Sequence, residues 1–147
     1  MPLLSPLFSR GPFDFGERVQ SFPADGLVPY FKEWNVIHTP GHTDGHISLF
    51  RPSDRSLIVG DAFCTTNQES FLSIAGQKPE LHGPPAYYTS DWDKAKASVA
   101  RLATLKPNVV AAGHGSPMKG LNVASALDTL AERFDQIARP HPQRPAA

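Results

Sequence analysis

The sequence predicts an α/β (α+β) fold, a mixed sheet with its helices on one face, and three observations lead there. From Trp34 onward, short apolar runs end in sharp turns; two later segments carry apolar residues at helical spacing; and fifteen prolines and eleven glycines among 147 residues keep every regular element short. A chain of this length suits one domain.

Residues 1–33 form an irregular lead-in, broken by Pro2, Pro6, Pro12, Pro23 and Pro29 and by Gly11, Gly16 and Gly26. Phe8, Phe13, Phe15, Phe22, Tyr30 and Phe31 lie between the breakers and tether the segment to a folded body. Trp34 to His38 reads as the first strand, Thr39-Pro40-Gly41 interrupts it, and His46 to Phe50 alternates as the second. The polar loop Arg51 to Ser56 suits a hairpin into Leu57 to Gly60, a third strand that ends at Asp61. Gly83-Pro84-Pro85 prevents helix or central strand locally.

Asp91 to Leu105 reads as an amphipathic helix, capped by Thr89 or Ser90, with Trp92, Ala95, Val99, Leu102 and Leu105 on one face. Val109 to Ala112 is a short strand, Gly113 to Pro117 a tight loop, and Leu121 to Ala138 a second helix with Leu127, Leu130, Phe134 and Ile137 inward. Residues 139–147 make a frayed tail. Leu57 to Val59 and Val109 to Ala112 are apolar toward both faces, as in strands covered on both sides. Two helices cover one face; little in this chain is left for the other.

Fourteen basic residues balance fourteen acidic ones with no run of either sign, which argues against a nucleic-acid or polybasic membrane partner. No apolar stretch approaches the length of a membrane span, and the first residues lack the basic-then-apolar order of a secretory signal, so the cytoplasm is the expected compartment. The single cysteine, Cys64, excludes an internal disulfide and a cysteine-rich zinc module. It reads as a small buried residue, since no neighbouring base marks it as a nucleophile.

His42, Asp61 and His114 each follow an apolar strand, flanked by Gly41, Gly60, Gly113 or Gly115. Residues at the ends of adjacent strands converge on the rim where open α/β sheets bind ligands. Two imidazoles and a carboxylate there suit zinc or a similar divalent ion, although Asp61 alone also fits a turn or cap role. His38 and His46 crowd His42 and are candidates to orient a ligand by hydrogen bonds. Thr65 to Glu69 are candidates to face a substrate; His82 and His141 carry no functional expectation.

Three motifs in this order, His38-Thr39-Pro40-Gly41-His42-Thr43-Asp44-Gly45-His46, Leu57-Ile58-Val59-Gly60-Asp61-Ala62-Phe63 and Gly113-His114-Gly115, closely resemble the second half of the metallo-β-lactamase superfamily. The resemblance spans roughly residues 34–138 and implies half of an αββα sandwich, the carboxy-terminal half of its domain. It further implies two zinc ions at one edge, with His42 on the first, His114 on the second and Asp61 bridging them. The implied activity is hydrolysis of an ester-, thioester- or lactone-like bond of a small molecule by metal-bound hydroxide, without a side-chain nucleophile.

The superfamily's upstream His-x-His-x-Asp-His signature has no counterpart, because residues 1–37 contain no histidine. Four ligand positions and the covering half of the sandwich are missing together. One expectation is therefore that the sequence begins at an internal methionine of a longer hydrolase. Another is an inactive half-domain that pairs with itself, or with the missing amino-terminal half, through the bare sheet face. A third has His42, Asp61 and His114 share one ion and retain weak hydrolysis.

Overall fold

Six strands lie side by side in the order in which the chain makes them: β1 (Leu27–Val28), β2 (Phe31–His38), β3 (Ile47–Arg51), β4 (Ser56–Gly60), β5 (Val109–Ala112) and β6 (Met118–Lys119). The structure is a computed structural model and describes residues 14–23, 25–66 and 80–140. All neighbouring strands run antiparallel except β4 and β5. Those two are parallel because helix α1 (Trp92–Ala103) carries the chain back between them. The sheet is mixed, as expected.

The first hairpin starts earlier than the apolar pattern indicates. β1 and the first residues of β2 lie inside the stretch read as irregular, joined across Pro29 and Tyr30. The proline ring fixes φ at the second turn position, and Tyr30 takes φ 67°, the positive value that a type II turn needs at its third residue. Proline and a bulky aromatic there mask the hairpin. β6 is a strand that the sequence does not announce, because two residues between Pro117 and Gly120 carry no strand signal of their own.

Strand register sorts the side chains into two faces. Ile37 pairs with Ser48, Phe50 with Leu57 and Leu57 with Val110, so these residues share the inner face with Val59. Ala95, Val99 and Leu102 of α1 pack there, with Val123, Leu127 and Leu130 of α2 (Asn122–Glu132) and Phe134 of α3 (Phe134–Ile137). Val36, Leu49, Ile58 and Ala111 are in register on the outer face, and none of them is buried. Ile58 is 41% exposed at the centre of the sheet. Val28, Phe31, Trp34, Leu49 and Ile58 line a shallow hollow of about 220 Å³ on it.

Both helices depart from the sequence reading at their ends. The cap of α1 is Asp91, not Thr89 or Ser90: its extended backbone lets Oδ1 accept from the N–H groups of Asp93 and Lys94 at 3.1 and 2.9 Å. Ser90 is instead engaged with the carbonyl of Gly41. The second helix breaks at Arg133 (φ −109°, ψ 23°) into α2 and α3. A β-carbon at Gly83 would stand 2.3 Å from Cβ of Ala138, so the last turn is drawn onto the buried Gly83–Pro85 segment. Phe134 is fully buried within that turn and meets the Trp92 ring with centroids 6.3 Å apart.

Candidate metal centre

The loop between β2 and β3 is bolted to the start of α1, and this fixes His42. Gly41 takes φ 136° and leaves no room for a side chain, since its β-carbon would stand 2.3 Å from the backbone nitrogen of Ala95. Its carbonyl accepts from the N–H groups of Ser90 and Asp91, and Oγ of Ser98 donates to the carbonyl of Pro40 at 2.7 Å. His42 follows directly, 12% exposed, with Nδ1 3.4 Å from Oγ1 of Thr89. Nε2 is left to face Asp61.

Asp61 leaves β4 at a register slip against β5, where Gly60 takes φ 53°. Its carboxylate is divided between the two histidines: Oδ2 lies 3.5 Å from Nε2 of His42 and Oδ1 3.6 Å from Nε2 of His114. Oδ1 is buried and has no hydrogen-bond partner among the described residues. His114 is half exposed, and its carbonyl is held by the N–H and Oγ1 of Thr65 at 3.0 and 3.1 Å. Thr65 and Thr66 are buried, so they do not present side chains to a substrate; Asn67 to Glu69 lie outside the described residues.

His46 and His38 occupy different settings. The His46 ring lies between β2 and β4, its Nδ1 2.9 Å from Oγ1 and 3.1 Å from the carbonyl of Thr39, and its Nε2 3.0 Å from the backbone nitrogen of Asp61. Burial holds its pKa below the ordinary histidine value, reinforced by His42 and opposed by the bond to the Thr39 carbonyl. His38 is exposed and reaches the carbonyl of Asp44 at 2.7 Å, bracing the turn that carries His42 without approaching Asp61. Thr39 is the site residue that the sequence reading missed, because a threonine before a proline reads as punctuation.

Each of the two His–Asp61 separations suits a pair of donors on one ion. Donors about 2.0–2.1 Å from one tetrahedral zinc stand roughly 3.4 Å apart, close to each of the two separations at Asp61. An unpartnered buried carboxylate oxygen costs free energy unless a cation or donor meets it, and nothing in the described residues donates to Oδ1. Among the described residues, no three His, Cys, Asp or Glu side chains gather around a single metal position. The expectation of one ion shared by His42, Asp61 and His114 therefore finds no support in the geometry.

Comparison with known proteins identifies the family. The sequence model of the metallo-β-lactamase superfamily matches residues 2–114, taking in the lead-in and the strands β1 to β5. The chain belongs to the metallo-β-lactamase superfamily. Among its relatives, the probable metallo-hydrolase YflN of Bacillus subtilis is 51% identical over 134 residues, which are 91% of this chain and 51% of that protein. A hydroxyacylglutathione hydrolase of Pseudomonas aeruginosa is 33% identical over 129 residues, covering 84% of this chain and 41% of its own length. An archaeal superfamily protein from Sulfolobus tokodaii shares the fold, with a TM-score of 0.51 at 18% identity over 78% of this chain and 38% of that one. The chain thus spans about half the length of the curated relatives it matches.

Among the described residues no helix is long and apolar enough to cross a membrane.

Proposed function

We propose that this chain carries half of a two-zinc hydrolytic centre, with His42 on one ion, His114 on the other and Asp61 between them. The observation behind this reading is the divided Asp61 carboxylate, with an imidazole nitrogen 3.5 or 3.6 Å from each oxygen. Imidazole and carboxylate donors suit zinc. Two such ions, when bound, draw a nucleophile from water near neutral pH and offset the charge that develops on an attacked carbonyl.

The chain's own residues prepare that setting. Thr89 and the Gly41 loop hold the His42 ring, Thr65 holds the His114 backbone, and Gly60 and Gly113 let the Asp61 backbone and carboxylate fit between them. Tyr87 and Tyr88, both exposed, stand on the turn that also carries Thr89 and offer an aromatic surface beside His42 to the apolar part of a small substrate. Phe71 and Leu72, apolar residues of the same loop 64–88 that fit such a surface by sequence, lie outside the described residues. The relative that acts on hydroxyacylglutathione makes a thioester the first bond to try, ahead of a lactone or other ester.

The remaining ligands would come from a polypeptide that packs on the outer sheet face, where Phe31 and Ile58 are exposed. Metal analysis after dialysis tests the site itself. At equilibrium with free zinc in the dialysis buffer, wild type should bind more zinc than Asp61→Ala; equal zinc in the two proteins would overturn the assignment. The intact mass of the protein from its native source tests whether the second polypeptide is continuous with this one.

A second reading rests on the same exposed apolar face: the chain acts as a binding module that pairs with a second copy or with another protein and performs no hydrolysis. Sedimentation separates the readings. A tight homodimer without thioesterase or lactonase activity favours the module; activity restored by adding a histidine-bearing amino-terminal half favours the enzyme.

A further inference from the structure

A row of polar groups, buried at Thr39 and Ser48 and partly buried at His46, runs beside the candidate metal centre and starts and ends on either side of Gly60. Oγ of Ser48 lies 3.4 Å from the carbonyl oxygen of Val59 and 2.9 Å from Oγ1 of Thr39. Thr39 meets Nδ1 of His46 through both Oγ1 and its carbonyl, and Nε2 of His46 meets the N–H of Asp61. Thr39 and Ser48 are fully buried. The bonds between Thr39, Ser48 and the Val59 carbonyl are enclosed and have no water to replace them.

Every proton in the row is determined. The backbone N–H of Asp61 can only donate, so Nε2 of His46 carries a lone pair and Nδ1 carries the hydrogen. The Thr39 carbonyl can only accept, which suits that hydrogen. Ser48 donates to the Val59 carbonyl, and the Thr39 hydroxyl is left to donate to Ser48. No alternative tautomer satisfies both ends.

The segment gripped in this way is where the backbone is least ordinary. Gly60 takes φ 53° at the register slip, and a β-carbon on it would stand 2.7 Å from Nε2 of His46. Residues on both sides of Gly60 are thus tied to one row of side chains, and the direction in which Asp61 leaves the strand follows from it.

We propose that His46 is a positioning residue for Asp61: its Nε2 accepts the Asp61 backbone N–H, braced through Thr39 and Ser48, and sets the carboxylate between His42 and His114. It touches neither metal nor substrate. The proposal rests on the two-ion reading for its consequence and on hydrogen bonding alone for its geometry.

Two substitutions in the 147-residue chain separate the two ends of the ring. His46→Asn places an amide where Nδ1 was and keeps the bond to Thr39, whereas His46→Gln carries an amide oxygen to the place of Nε2 and keeps the acceptor for Asp61. With Co(II) as the probe, His46→Asn should weaken binding by about 10–100-fold, the usual effect of removing a group that orients a ligand, and His46→Gln should stay near wild type. Thermal midpoints of the two variants should match. Long-range proton–nitrogen correlation of the wild type should show His46 protonated at Nδ1 and bare at Nε2.

Equal Co(II) affinities for Asn and Gln, or a protonated Nε2, would overturn the proposal. Should wild type bind no Co(II), the two-ion reading fails for this chain, and hydrogen exchange at the Asp61 amide decides the positioning role. Faster exchange in Asn than in Gln sustains it; equal exchange removes it.

Discussion

A β-carbon built on Gly113 would stand 2.4 Å from Oδ1 of Asp61, so the carboxylate occupies the space that any other residue at position 113 would fill. The N–H of Gly113 also donates to the carbonyl of Gly60 at 2.7 Å, which ties the start of the His114 loop to the end of β4. Gly113→Ala should therefore push the carboxylate off its place between the histidines. Gly113 is exposed and the atom it would strike is the far end of a side chain that is itself 30% exposed, so the clash can be relieved by turning the carboxylate aside without disturbing the core. The expected result is a loss of zinc or Co(II) affinity with little change in thermal midpoint. Unaltered affinity would mean that Oδ1 does not face the ion.

Asp91 links helix capping to the site, because its side chain caps α1 while its backbone N–H donates to the carbonyl of Gly41, next to His42. Hydrogen bonding from the Lys94 backbone N–H, followed by the Lys94 charge, holds its pKa below the ordinary carboxylate value. A carboxyl whose pKa is depressed on folding contributes stability above its unfolded value of 3.8, and that contribution is lost as the pH falls below it. Asp91→Ala should lower the thermal midpoint at pH 7. Asp91→Asn should keep most of the cap and flatten the acid limb of the stability curve below pH 4. Identical acid limbs for wild type and Asn would contradict the capping role.

The thiol of Cys64 is buried, and burial, followed by the nearby Asp61 charge, pushes its pKa up to about 12. Thiolate is the reactive form, so the native protein should be almost inert to a thiol reagent at pH 8 and react with one equivalent once unfolded. Rapid native labelling would show that the segment carrying Cys64 opens on the time scale of the assay. The same experiment across a denaturant series reads the stability of the strand end that holds Asp61.

Much of the fold was legible because burial imposes period. Trp92, Ala95, Val99 and Leu102 recur at helical spacing, and α1 presents them to the sheet; Val109 to Ala112 and Leu57 to Gly60 read as strands and pair in parallel. What escaped was local geometry that no period carries: the Pro29–Tyr30 turn, the two-residue β6, the break at Arg133. At the site, the glycines around Asp61 and His114 marked close approach, and they stand where a β-carbon would collide with His46, Asp61 or Thr65. Thr39 and Ser48 gave no signal, because a buried hydroxyl is recognised by its partners and the partners come from other strands.

Leu57 and Ile58 are consecutive in β4 and face opposite ways, Leu57 1% exposed in the core and Ile58 41% exposed on the outer face. Charge at the two positions should have opposite consequences. Leu57→Lys buries an unpaired ammonium among Val99, Leu102 and Val110 and should prevent folding. Ile58→Lys should leave the thermal midpoint of this chain near wild type and reduce self-association in sedimentation, because it interrupts the apolar patch around the hollow of Val28, Phe31, Trp34 and Leu49. Were that face to pack against a second polypeptide in the working protein, the same substitution would abolish the complex while sparing the chain's own fold. An Ile58→Lys chain that fails to fold would mean instead that residues of this chain cover Ile58, and the uncovered face would then not be a place for any partner.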